Sequence, residues 1–449
     1  MADVEPEGGR PNPLDAQSSN FSRQALRSSQ AAPGVAVAVL YLHVIFEYLR
    51  IHEIWPILDQ LKVQTAMFAA LLLIVIGQTV REGVRLSRQS RLLLGFLGLT
   101  VFTILVAKNN FYAYEFSYAL TLILIGYFAI THILRDERKL GRFLALLVGI
   151  HIYIAVMGIG GYFHSQFDER GYTSTGVVGG SFLGDENDLG LALVLILPFA
   201  IYLFRLTRSA PCRVFWGAGG VAILVTIIFT FSRGAFVGLV AMALYWVVGS
   251  RNRGKAICTL ALAAVLVIAI APPQYWARVE TIRDIDSGTA ELRRNYWAAA
   301  GRMFLDSPLF GVGGNNGGVW MPDYAIDFPS EIRPNQWGRV IHSMYFQILA
   351  EFGLLGAFLI GSILRINFRN LRQVISLSRS GICSPTIGQL AECLRMSWVG
   401  FLVSAAFVSV LMYPHLYYLT ALTVVVRDLA SADEGAITIE PVAALEKVA

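Results

Sequence analysis

The chain has 449 residues, 55% of them hydrophobic and only 15% charged, with a mean hydropathy of +0.57. Soluble domains carry about 25% charged residues, so a water-soluble enzyme built around one core is excluded and a polytopic helical membrane protein is indicated. The formal charge of +5 then bears on orientation across a bilayer and not on nucleic acid, which is not expected as a partner.

Residues 1–32 are polar, rich in Pro, Gly, Ser and Gln, and lack the apolar region of a signal peptide, so they read as a disordered cytoplasmic tail. Apolar windows follow at 34–49, 63–80, 92–107, 115–134, 143–160, 188–204, 214–231, 234–249, 256–272, 343–364, 394–412 and 415–428. They predict an all-α fold of about 12 transmembrane helices, the last one short enough to be re-entrant. A first membrane region (33–272) precedes a large loop (273–341) between the ninth and tenth spans; a C-terminal membrane region (342–428) and a cytoplasmic tail (429–449) complete the chain. Basic segments at 81–91, 135–142, 205–213, 250–255 and 365–379 alternate with loops poor in Lys and Arg. Positive-inside placement therefore puts them and both termini in the cytoplasm, and the 273–341 loop outside. Cys212, Cys258, Cys383 and Cys393 fall near the reducing side, with no CxxC pair and no disulfide framework. No internal repeat is visible.

Along this order, "GDENDLG" (184–190) clusters carboxylates as a Mg²⁺ site does, but Asp or Asn before an apolar helix is expected as an N-cap. "TFSRGAFVGLV" (230–240) places Arg233 between two apolar runs with no real loop between them. A mid-bilayer arginine costs roughly 2.5–3.5 kcal/mol, so Arg233 is expected at the outward tip of a tight hairpin, with Gly234 admitting a close backbone or ligand. The 273–341 loop is rich in aromatic residues, which argues for order, and "ELRRNYWAAAGRMFLD" (291–306) predicts a helix with Leu292, Tyr296, Ala300 and Phe304 on one face. Arg278, Arg283 and Arg302 read as solvated or glycan-facing. "GVGGNNGG" (311–318) lacks the Gly-Lys-Ser/Thr of a nucleotide cradle and reads as a flexible loop. His342 stands where the loop re-enters the membrane, with Gln347 and Glu351 further along. Histidine titrates near neutral pH without help, so it is either a general base or an interfacial structural residue. Glu351 and Glu47 are each able to pair with a site arginine.

Three of these stretches together resemble the O-antigen ligase and polymerase superfamily of bacterial envelope glycosyltransferases. "TFSRGAFVGL" is similar to its S-R-G-x-[FW] hairpin, "ELRRNYWAAAGRMFLDSPLFGVG" to its R-x-x-x-W … P-x-x-G-x-G run, and "HSMYFQILAEFGLLG" to its H-N-x-[YF] … E-x-G-x-x-G helix. A weaker match is "GSFLGDENDLGLALVLILPFA", like the family's G … N-x-[LF]-A … P segment. The resemblance implies a metal-independent, inverting transferase in the bacterial inner membrane with its site on the periplasmic face. Its donor would be a glycan on undecaprenyl pyrophosphate, and its acceptor lipid A–core, another lipid-linked repeat or a protein. His342 matches the catalytic histidine, Arg233 the hairpin arginine, and Arg293, or Arg294 one residue on, the loop arginine before Trp297. Ser343, Glu351 and Asn187 are candidate supporting residues. Ser343 departs from the usual Asn, but serine still donates and accepts. No cofactor and no metal are expected. Arginine suits a lipid pyrophosphate, because its planar fork binds two phosphate oxygens. The competing readings are a transporter or flippase of envelope glycolipid, which would place interrupted helices at the midplane of repeated halves, and a non-catalytic scaffold.

Overall fold

The computed structural model describes residues 34–83, 86–163, 167–168, 171–172, 183–250, 252–280 and 288–445. The expected tail at 1–32 lies outside them. Helices occupy every apolar window: α1 (Gly34–Leu49), α2 (Val63–Glu82), α3 (Arg88–Thr103), α4 (Asn110–Ile133), α5 (Glu137–Phe163), α6 (Glu186–Leu206), α7 (Ala210–Phe229), α8 (Arg233–Gly249) and α9 (Arg253–Ile270). After them come α10 (Pro273–Glu280), α11 (Gly288–Asp306), α12 (Gly317–Tyr324), α13 (Met344–Arg379), α14 (Pro385–Ser404) and α15 (Pro414–Leu445). Among the described residues the fold is all-helical apart from a two-residue antiparallel ladder, Phe167–Asp168 with Gly171–Tyr172. Among the described residues, seven helices are long and apolar enough to cross a membrane: α2, α4, α5, α6, α7, α13 and α14 with its terminal turn. α1 and α8 are shorter apolar helices. The final helix runs on to Leu445, so the expected tail from 429 begins as helix.

Local chemistry sets the helix starts. Ser87, Asn109, Asp185, Ser232 and Asn252 each stand at an N-cap and accept a backbone N–H from the first turn. α6 is the central helix, with a buried run from Asp188 to Ala200, and it packs against α7, α8 and α14. Ser397 of α14 donates to the Leu195 carbonyl at 2.7 Å, and Gly400 makes room for Val194. By contrast, many large apolar side chains of α2 and α9 are exposed, as lipid-facing helices require.

The segment 288–341 is ordered and carries its own small core of Tyr296, Ala299, Ala300, Met303, Met321 and Phe328, which continues onto Ile341 and Ala350. The buried face of α11 is therefore 296/299/300/303; Leu292, expected on it, is 42% exposed, and Phe304 lies at its margin. The i, i+3, i+4, i+7 stripe starts one turn later than the sequence pattern predicts.

Candidate active site

A short turn through Phe231, whose φ of 53° is left-handed, joins α7 to α8, so Arg233 stands at a turn between two helices that pack on α6 more than on each other. Tyr275 of α10 packs on Phe231 and Phe236 and braces the turn. Ser232 caps α8 by accepting the Ala235 N–H at 3.2 Å, and its hydroxyl donates to Asn187 Oδ1 at 2.8 Å. Asn187 in turn donates to Asp185 Oδ1 at 2.9 Å, and Asp185 caps α6 through the Asn187 N–H at 2.8 Å. Two of the three carboxylates of 184–190 are thus in use: Asp185 caps, and Asp188 accepts from the Tyr413 hydroxyl. Gly234 serves packing and not a ligand, because a Cβ there would meet Phe407 at 3.1 Å. Arg233 is half-buried at the first position of α8. A cation there opposes the helix dipole at a cost of about 0.3–1 kcal/mol, so local helix energetics do not account for it.

The "PLFGVGG" and "EFGLLG" stretches are two halves of one device. α13 breaks at Gly353 (φ 60°, ψ −155°), freeing backbone groups on both sides of the kink. Val312 and Gly313 donate to the Ala350 and Glu351 carbonyls at 2.8 and 3.0 Å; Leu354 and Leu355 donate to Pro308 and Leu309 at 2.8 and 3.2 Å. A Cβ on Gly353 would lie 2.6 Å from the Leu309 backbone, and one on Gly311 would lie 2.3 Å from that of Glu351, so both positions require glycine. The 311–318 run, expected to be flexible, is instead pinned. The buried Asn316 accepts from the Asn109 N–H at 2.8 Å and donates to the Asn109 carbonyl at 3.1 Å. The Glu351 carboxylate accepts from the Gly317 N–H at 3.2 Å and from Gln347 Nε2 at 3.1 Å. It is a clamp on this loop and not the partner of a site arginine. Glu47 lies with Arg50 and Gln64.

His342 sits just before α13 in a left-handed conformation (φ 56°), which for a non-glycine residue stores strain and fixes the ring. Its ring centroid is 6.3 Å from that of Tyr296 on α11. Burial, helped by the Arg293 and Arg339 charges and opposed by Asp185, pushes its pKa down to about 4. A neutral imidazole at neutral pH is the form that accepts a proton. These charges show which groups surround the ring. Arg293 acts on His342, whereas the neighbouring Arg294 acts on Asp327. Ser343 is buried at the N-cap of α13 without a side-chain capping bond. Arg302 is partly exposed and also paired: it makes two hydrogen bonds to Asp327, at 2.8 and 3.0 Å, and one to the Tyr324 carbonyl at 3.0 Å. Of the other loop arginines, Arg283 lies outside the described residues, as does the side chain of Arg278.

The N-terminal ends of α4, α6, α8 and α13 and the C-terminal end of α14 meet at this one end of the bundle, joined by the Asn109–Asn316, Asn187–Ser232, Tyr413–Asp188 and Ser404–Gly234 contacts. Beside His342 lies a cavity of about 310 Å³ between the 315–319 and 337–341 segments and α13. Sequence reasoning missed Arg339 and the part Asp185 plays near the histidine. Arg339 carries a weak signal, three residues before His342. Asp185 carries none, because only folding brings α6 to α13.

No curated protein matches the chain. Residues 218–361 match the protein family described as O-antigen ligase. That stretch takes in Arg233, α11, His342 and the Gly353 kink, while the weaker motif at 180–200 lies outside it. The match thus spans the turn at Arg233, the loop and the kinked helix, and over these residues the chain is similar to the O-antigen ligase family.

Proposed function

We propose that the chain is a membrane glycosyltransferase that moves a glycan from an undecaprenyl-pyrophosphate carrier to an acceptor hydroxyl by a metal-independent, inverting displacement at the periplasmic face of the inner membrane. The acceptor is lipid A–core, another lipid-linked repeat or a protein. The carrying observation is His342, strained, kept neutral, and set among Arg293, Arg339 and Asp185. In the reaction His342 takes the acceptor hydroxyl proton while that oxygen bonds to the anomeric carbon. The bond from that carbon to the pyrophosphate oxygen breaks, and its electron pair leaves on the phosphate. Arg233, Arg293 and, further out, Arg294 balance the charge that develops on the pyrophosphate. Arg233 and the α8 N-terminus attract the same anion, which gives the unfavourably placed arginine its reason. Asp185 stabilises the imidazolium until the proton leaves.

The test is transfer by the purified protein in nanodiscs supplied with carrier-linked glycan and acceptor. His342→Asn is the informative variant, because Asn also tolerates a left-handed backbone but cannot act as a base. Abolished transfer with unchanged thermal unfolding is expected; wild-type turnover would remove the histidine from the chemistry. Deleting the gene then identifies the acceptor. Lipid A–core capped by a single repeat marks a lost polymerase, and polymer accumulated on the carrier marks a lost ligase.

A further inference from the structure

We propose that the cavity beside His342 is a subsite for one neutral pyranose ring of the acceptor glycan; this rests on the transfer reaction above. Its volume of about 310 Å³ is at the low end of small-molecule sites, enough for one ring and too small for a lipid chain or a folded oligosaccharide. Its lining includes Tyr112, Trp337, Arg339, Gln347, Glu351 and Ser409. Gln347 is 8% exposed; its Nε2 is committed to Glu351, while its Oε1 is buried without a hydrogen-bond partner. The Ser409 hydroxyl is likewise buried and unpartnered. Buried polar atoms are normally satisfied, so an acceptor and a donor–acceptor left unpartnered on two residues that line one small cavity point to a ligand bearing hydroxyl groups.

The other walls narrow its chemistry. Arg339 and Glu351 both line the cavity and offer a donor and an acceptor to sugar hydroxyls. An alkyl chain would leave Gln347 Oε1 and Ser409 Oγ unsatisfied. Trp337 is 54% exposed, and its ring centroid lies 6.1 Å from that of Tyr112. Exposed aromatic rings at the edge of a polar cavity offer a flat apolar surface to the C–H face of a sugar while its hydroxyls turn to the polar wall. Ile341 is in the lining and His342 follows it in the chain, so the cavity lies along the same re-entry segment as the proposed base.

Binding and transfer are measured separately on the full-length protein in nanodiscs. The probes for saturation-transfer NMR are methyl glucoside, methyl galactoside, methyl N-acetylglucosaminide and methyl rhamnoside, with inorganic pyrophosphate as the anionic comparison. At least one glycoside should bind. Trp337→Ala and Gln347→Leu should each weaken it roughly tenfold, while Arg233→Lys should not. In the transfer assay the same two variants should raise the acceptor KM roughly tenfold and leave the donor KM unchanged. No glycoside binding, or a rise in donor KM alone, overturns the subsite even if transfer by the wild type is intact. Glycoside binding that obeys these substitutions in a protein without transfer activity would retain the sugar site and reject the transferase reading.

Discussion

His342 combines a left-handed backbone with a ring that burial holds neutral down to about pH 4. As the base must be neutral, kcat/KM should stay level from neutral pH to about 5 and fall as pH drops through about 4. Bound pyrophosphate adds negative charge that favours the imidazolium, so the fall in kcat should come at higher pH than the fall in kcat/KM. Coincident falls near the ordinary value of about 6.5 would show that the ring is solvated in the working enzyme. The sign for stability follows from the same shift. Between about 6.5 and 4 the unfolded chain binds the proton and the folded chain does not, so His342 lowers stability as pH falls through that window and is neutral above it. Arg233→Lys preserves charge but loses the fork that holds two phosphate oxygens. Loss of one charge-assisted hydrogen bond costs about 1.5–3 kcal/mol, or on the order of tenfold to a hundredfold in rate. The comparison is Arg208→Lys, an exposed arginine beyond α6. Equal transfer by both variants at equal expression would make Arg233 an anchor. Arg302 does not serve as that comparison, because it ties α11 to Asp327.

Among the elements, α13 carries the clearest structural demand. Its Gly353 break exchanges four backbone hydrogen bonds with the 308–313 segment, which is how the loop acquires a fixed place over the bundle. Gly353→Ala adds a Cβ 2.6 Å from the Leu309 backbone at a φ of 60°. Strain of that kind costs about 1–3 kcal/mol before the clash is counted, so the variant should unfold at a clearly lower temperature and release the loop to proteolysis. Gly361→Ala, in the same helix and with nothing within 4 Å, should be neutral or stabilise by up to about 1 kcal/mol. Equal unfolding temperatures for the two variants would show that the break contributes nothing to stability.

At the scale of the whole molecule, the conspicuous residues gather at one end of a helical bundle, and the alternation of basic loops supports the proposal that this end faces outward. Cys212 and Cys258 are exposed and belong to the opposite, basic end. An impermeant maleimide applied to spheroplasts should leave both unlabelled and should label Ser330→Cys in the exposed part of the loop. Labelling of the native cysteines without permeabilisation would invert the orientation and move the site to the cytoplasm.

Helices in the apolar windows, the turn at Arg233, order in 288–341 and the N-cap at Asp185 were legible in the residues alone, whereas the number of spans was not. Hydropathy, capping side chains and proline are local signals, and a membrane helix satisfies its own backbone wherever it packs. Arg293 and Arg294 were indistinguishable along the chain, because adjacent residues point about 100° apart on a helix whose neighbours are unknown. Only the packing of α11 on α13 brings the Arg293 charge to bear on His342. The same holds for the glycines of 311 and 353: each reads locally as freedom. Paired across more than forty residues they become a single rigid joint, because backbone groups opened by a kink inside a bundle must find partners in another segment.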